Sequence, residues 1–358
     1  MARQISAKET SPNITLILLG VLVVFVVGVT LHLLRTVLLP FVIAILLSNI
    51  FEPVVMWLKK KSIPTAVSLI IVLLTFALVL FLFSLVIYTS ADAFVQQLPK
   101  YQQRLTGLIN SAASTFERWA QIYELRVKHI DWGSMIQFSS VTTALTSGVG
   151  SFIDFVTYIV IILLFMLFIL AGSGELITKI QKAFPARQAR RIGTILLNIE
   201  TRVRQYLLTK TLISAATGFL TFLILLILGV DFPLIWGILT FLLNFIPNIG
   251  SIIAVIFPFL LSLLQFETST TPILVALLLG TTQLVMGNVV EPRLMAFRLD
   301  LSPLFVLVSL IFWGWLWGVW GMILAVPIMA SVKIVLENIE PLRPLALLMG
   351  RLTSIESS

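Results

Sequence analysis

Apolar stretches separated by short polar or basic segments recur along the whole chain, near residues 14–34, 37–58, 66–88, 152–171, 211–229, 234–264, 273–290 and 304–335. About 20 apolar residues wound as a helix cross the roughly 30 Å of bilayer hydrocarbon. The pattern therefore predicts an all-α, polytopic membrane protein with about eight transmembrane helices.

Two of the stretches are too long for one crossing. Residues 234–265 would form a helix of about 48 Å, and its middle reads Asn244-Phe245-Ile246-Pro247-Asn248-Ile249-Gly250. Pro247 removes an amide donor and Gly250 permits positive φ. Asp231 and Glu267 flank the stretch without basic neighbours. A re-entrant hairpin over 233–266 satisfies all three observations. Asn244 and Asn248 either satisfy the freed backbone of its tip or offer amides to a solute, and Pro247 is expected to splay them apart. The second long stretch, 304–335, is centred on Trp313-Gly314-Trp315-Leu316-Trp317-Gly318-Val319-Trp320-Gly321. Here the tryptophans suit the outer membrane interface and the glycines a turn, after which the chain returns past Pro327 to Lys333. An aromatic-lined conduit is the alternative.

Two polar segments interrupt this series. In 92–147, Phe94, Leu98, Tyr101, Leu105 and Leu108 recur at three- and four-residue steps and predict one amphipathic helix; Phe116, Trp119 and Tyr123 predict a second. Together they would form an outer helical hairpin. In 173–210, Ile192, Ile195, Ile199, Val203 and Tyr206 form a stripe, with Arg187, Arg190, Arg191 and Arg202 largely elsewhere. That is the pattern of a basic helix lying on the inner membrane surface. The chain thus divides into a first membrane region of three spans (1–91), an extracytoplasmic segment (92–147) and a fourth span (148–172). A cytoplasmic amphipathic segment (173–210), a second membrane region containing the hairpin (211–340) and a cytoplasmic tail (341–358) complete it.

Composition agrees: 59 % of residues are hydrophobic and 11 % charged, against about 25 % charged in soluble domains. The net charge of +8 does not indicate nucleic acid, because the basic residues lie between spans. With both termini cytoplasmic, Arg35, Lys100, Arg104, Arg118, Arg126 and Lys128 fall outside, which leaves 18 of the 24 Lys and Arg inside. Such asymmetry sets orientation, and the basic loops can meet anionic headgroups of the bilayer.

The absence of cysteine excludes disulfides and thiolate sites. There is no phosphate-binding Gly-Lys-Ser/Thr loop and no His-Glu-x-x-His, and the two histidines, His32 and His129, read as surface residues. No enzyme, cofactor or metal site is expected.

The candidate chemistry lies in a repeat. Asn49-Ile50-Phe51-Glu52-Pro53 returns 239 residues later as Asn288-Val289-Val290-Glu291-Pro292, with six identities in nineteen aligned positions, either a true internal repeat or chance. Carboxylates at the edge of hydrocarbon are costly and mark solute or ion paths. Asn49, Glu52, Asn288 and Glu291, with Gln283 as a mid-membrane amide, are the candidate transport and coupling residues. The alternative is that the carboxylates are anchored to Lys59–Lys61, Arg293 and Arg298.

The motifs at 244–250, 287–295 (Gly-Asn-Val-Val-Glu-Pro-Arg-Leu-Met), 301–304 (Leu-Ser-Pro-Leu) and 312–327, with Leu39-Pro40 and Glu52-Pro53, resemble those of the autoinducer-2 exporter family of PerM-like permeases. The resemblance covers nearly the whole chain. It departs at Asn248, where the family pattern Pro-Tyr-Ile-Gly has tyrosine. It implies an inner-membrane permease of bacteria whose eponymous exported solute is of the autoinducer-2 quorum-sensing type; the reading of the residues adds a small polar solute whose movement is coupled through a carboxylate that exchanges a proton or sodium ion. It also implies homo-oligomeric assembly, of which a pentamer is one form. A sodium/proton antiporter, and a membrane scaffold that binds partner proteins, are the alternative functions.

Overall fold

The computed structural model describes residues 14–122, 152–172, 175–295 and 301–350. Among them every regular element is helical: α1 (Ile14–Leu33), α2 (Arg35–Lys60), α3 (Thr65–Ile122), α4 (Phe152–Gly172), α5 (Glu175–Ala183) and α6 (Ala186–Ile227) come first. Next come α7 (Pro233–Leu243), α8 (Ile249–Gln265), α9 (Thr270–Val285), a π-helical turn (Met286–Val290), α10 (Glu291–Leu294), α11 (Pro303–Glu337) and α12 (Arg343–Met349). Five helices among the described residues are long and apolar enough to cross a bilayer, and the pair α4–α5, bent by 60°, makes a sixth if read as one span. Exposed apolar side chains such as Leu18, Phe25, Leu74 and Phe219 cover the outside of the bundle, as hydrocarbon solvent allows. The chain is a membrane-embedded helical protein.

Two helices correct the expected segmentation. The residues expected to lie flat on the inner surface are the first half of α6, a continuous helix of 42 residues that runs on into the 211–229 stretch. The stripe Val203, Tyr206 and Leu207 is buried against Leu301, Val326, Ala330 and Met349, so its apolar face meets protein instead of lipid headgroups. The predicted outer pair of helices is likewise a single element as far as Ile122. The α3 helix runs 58 residues from Thr65, about 87 Å, with Phe116 on the same helix as Phe94. No local breaker stops it: Pro99 alone interrupts the hydrogen-bond ladder. Tyr123 and His129 lie outside the described residues.

Beyond its apolar part, α3 docks on the corner before α7. Tyr101 is buried with Phe94, Val230, Phe232 and Leu261. Its hydroxyl lies 2.7 Å from Asp231 Oδ2 and 2.9 Å from Gln97 Oε1. Burial, and then the Asp231 carboxylate, push the Tyr101 hydroxyl above its ordinary value of 10.0. Because the folded value is raised, this docking contributes fully below about pH 10 and is lost as pH rises further. Thermal melts of the intact protein at pH 8 and pH 11 should therefore differ more for the wild type than for Tyr101→Phe; equal differences would rule the contact out.

α7 and α8 form a hairpin whose ends meet. The Gln265 side chain accepts from the Asp231 amide and donates to the Gly229 carbonyl, both at 2.8 Å. At the tip, Gly250 packs directly on the Leu243 carbonyl. The α11 stretch also reverses. Gly318 (φ 65°, ψ −147°) breaks its helical path, and Gly321 lies against the Trp313 carbonyl. Gly318 is thus the turn of a second hairpin. Its tip packs beside the first: Ile246 shares a core with Leu39, Leu310, Trp313, Leu316 and Trp317. The tryptophans are divided accordingly, with Trp313 and Trp317 buried, and Trp315 and Trp320 exposed.

His32 is not the free surface residue expected. The Gly318 turn interrupts the ladder near the Leu316 carbonyl, and His32 Nδ1 hydrogen-bonds to it at 3.1 Å while the ring stacks on Trp315. The Trp317 indole returns a bond to the Leu31 carbonyl at 3.2 Å. In this way α1 is pinned through its last turn.

Candidate functional site

The Asn-x-x-Glu-Pro spacing of α2 has a direct physical reading. Proline at position 53 has no N–H, so the Asn49 carbonyl loses its partner four residues on. Arg204 of α6 supplies the donor: its Nε bonds the Asn49 carbonyl at 3.0 Å. The same guanidinium bonds Glu52 Oε2 at 2.6 Å and also Glu200. One planar fork thus binds the freed backbone oxygen, the side chain one turn further along α2 and its own i−4 neighbour. The Asn49 contribution is its backbone, and its amide makes none of these bonds.

In the second copy the helix widens into the π turn Met286–Val290 immediately before Glu291-Pro292. π turns of this kind insert one residue and re-aim the side chains beyond it. Glu291 Oε1 meets Lys210 Nζ at 2.6 Å, with the Lys210 side chain 3 % exposed and that of Glu291 24 %. The anchor positions inferred from sequence are therefore corrected. The direct partners are Arg204 and Lys210, brought in from α6 by tertiary packing; of the basic residues downstream, Lys59 acts on Glu52 only through its charge, and Arg298 lies outside the described residues. Asn288 is exposed and Gln283 half-buried on α9.

The hairpin tip reaches the same helix. Asn244, 7 % exposed, donates from Nδ2 to Ser214 Oγ at 3.2 Å. Asn248 is exposed and stands at φ 61°, ψ −53°. The two amides are splayed, one into the protein and one outward, with Pro247 between them half-buried. Gly218 and Gly237 bring α6 and α7 close: a Cβ on Gly218 would lie 2.5 Å from the Gly237 carbonyl.

Both acid turns and the hairpin tip thus converge on one helix, at Arg204, Lys210 and Ser214. These span about 15 Å of α6, with Arg204 about 120° round the axis from Lys210. The turns share α6 and do not face one another. Sequence reasoning missed Glu200, Arg204, Lys210 and Ser214 as members of the site. Only the Glu200–Arg204 spacing of four gave a local signal. Among the described residues no group of three or more His, Asp and Glu could hold a metal ion.

A helical bundle with interrupted apolar helices, part-buried ion pairs and a hairpin anchored beside them has the architecture of membrane transport proteins. The chain belongs to the AI-2E family of transporters, whose family model matches residues 16–340. It is 33 % identical over 338 residues to the AI-2 transport protein TqsA of Escherichia coli (strain K12), covering 94 % of this chain and 95 % of that one. It is 32 % identical over 339 residues to YhhT of the same strain, a protein named provisionally for transport, covering 94 % and 93 %. A relative from Borreliella burgdorferi, also named provisionally for transport, is 32 % identical over 312 residues, covering 87 % and 84 %.

Proposed function

We propose that this transporter exports a small polar solute, with movement coupled to a proton or sodium ion, and that α6 is the axis along which the solute path is built. The observation that carries this reading is the Lys210–Glu291 pair, 2.6 Å apart with the lysine buried, placed where a π turn and a proline interrupt the helix. Two charges in such a place are expensive to keep for stability alone. The name of the TqsA relative supports a solute of the autoinducer-2 type. The basic-residue asymmetry supports an inner-membrane location with both termini cytoplasmic, and self-association into a homo-oligomer belongs to the same proposal.

Purified protein in sealed vesicles, given imposed pH and sodium gradients, tests this reading. Solute flux should track one of the gradients in the wild type. In Glu291→Gln it should fall by roughly tenfold or more and lose its gradient dependence. Unchanged flux with unchanged pH and sodium dependence would remove the carboxylate from the mechanism.

A further inference from the structure

Helix α5 is short and two-sided. At about 100° per residue, Leu176, Ile177, Ile180, Ala183 and Phe184 fall within roughly 120° of arc. Glu175, Thr178, Lys179, Gln181 and Lys182 occupy the rest. Phe184 follows the last helical residue, yet its amide still bonds the Ile180 carbonyl at 3.1 Å, which keeps it in register. The described residues cover little of the apolar face. Leu176, Ile177 and Phe184 are 53 %, 37 % and 45 % exposed, and Ile180 is half-buried. The stripe of α6, by contrast, is buried against Leu301, Val326 and Ala330.

The depth of α5 follows from its neighbours. Leu170, near the end of α4, shares a core with Val55 and Leu58 of α2. Directly after Leu58 comes the run Lys59-Lys60-Lys61, with Lys61 Nζ 4.0 Å from the centre of the exposed Trp57 ring. Tryptophan beside a basic run marks the level of the lipid headgroups. The end of α4 therefore lies at that level, and α5 follows it at 60°. Over nine residues at that angle, α5 advances only about 7 Å along the α4 axis. That keeps it in the layer of about 5–10 Å where amphipathic helices settle. Charge points the same way. From Glu175 to Arg191 the chain holds five basic residues against one acid. Glu175 is met by Lys179 at 2.7 Å, and Arg191 donates to the Asn338 carbonyl. Lys182, Arg187 and Arg190 are exposed, and basic groups at a bilayer surface attract anionic lipid.

We propose that α5 is an interfacial helix: Leu176, Ile177 and Phe184 enter the hydrocarbon edge, and Lys182, Arg187 and Arg190 bind anionic phospholipid headgroups. A second copy of the chain fits this face less well, because its own cations would meet these. The proposal stands apart from the transport role. It bears on the site all the same, since α5 leads through Pro185 into α6, the helix that carries Arg204 and Lys210. The lipid surface then holds one end of the helix on which both acid turns are anchored.

The chain has no cysteine, so Leu176→Cys, Phe184→Cys and Thr178→Cys can each carry a single fluorescent label on the full-length protein. The proteins are placed in nanodiscs of phosphatidylcholine, with or without phosphatidylglycerol. Labels at 176 and 184 should be blue-shifted and quenched several-fold more by spin-labelled lipid than by aqueous iodide. The label at 178 should show the reverse. Iodide quenching at 176 and 184 equal to that at 178 would overturn the proposal. Shielding of 176 and 184 from both quenchers would also overturn it, as the sign of a protein partner or a second copy. Phosphatidylglycerol should raise the melting temperature of the wild type. The triple variant Lys182→Gln/Arg187→Gln/Arg190→Gln should lose that gain while matching the wild type in phosphatidylcholine alone. A gain kept in full by the triple variant would overturn the headgroup assignment.

Discussion

Glu291→Leu is expected to destabilise the protein by about 3–5 kcal/mol, because it leaves the Lys210 ammonium buried without a counter-charge. Lys210 is 3 % exposed, whereas the Glu291 side chain is 24 % exposed. Lys210→Met should therefore be milder, since a carboxylate with some access to water can be solvated or protonated. The double variant Lys210→Met/Glu291→Leu removes both charges and should recover most of the lost stability, in a strongly non-additive cycle. Denaturant unfolding of the four proteins in the same detergent measures this directly. A double variant as unstable as the two single effects added together would mean that the groups do not act as a pair. The cycle also divides structure from transport: a stable double variant that moves no solute would show that the pair is kept for function.

The second large effect is expected at Gly250. A Cβ there would lie 1.7 Å from the Leu243 carbonyl oxygen and 2.5 Å from its carbon. Both are backbone atoms at the tip of the α7–α8 hairpin, so no side chain can rotate away. Gly250→Ala must open the tip, with a loss above about 3 kcal/mol and little folded protein recovered from membranes. Gly280 in α9 is the control, because a Cβ there meets nothing within 4 Å. Gly280→Ala should be neutral or stabilising by up to about 1 kcal/mol through helix propensity. Equal yields of folded Gly250→Ala and Gly280→Ala would show that the tip adopts another path.

Membrane character was legible because apolar period and length act locally, and hydrocarbon thickness turns length into a crossing. The breaks were legible for the same reason: Pro247 and Gly318 act on their own neighbours. What could not be read was which helix each break would meet. Arg204 and Lys210 look like ordinary loop-side cations in the sequence, and their tie to Glu52 and Glu291 spans 152 and 81 residues. Helix continuity was also hidden. A change from apolar to amphipathic composition at 210 suggested a boundary, yet no capping residue or breaker stands there, and α6 continues through it. The same holds for α3 beyond residue 88. A change of solvent along a helix alters its side chains but gives its backbone no reason to stop.

The stiffness of α3 carries a mechanical consequence. Past the Tyr101–Asp231 bond the helix continues for 21 residues to Ile122, a lever of about 31 Å. Asp231 is tied through its amide to Gln265 at the far base of the α7–α8 hairpin. A load on the distal arm is therefore passed to that base through the Tyr101–Asp231 bond.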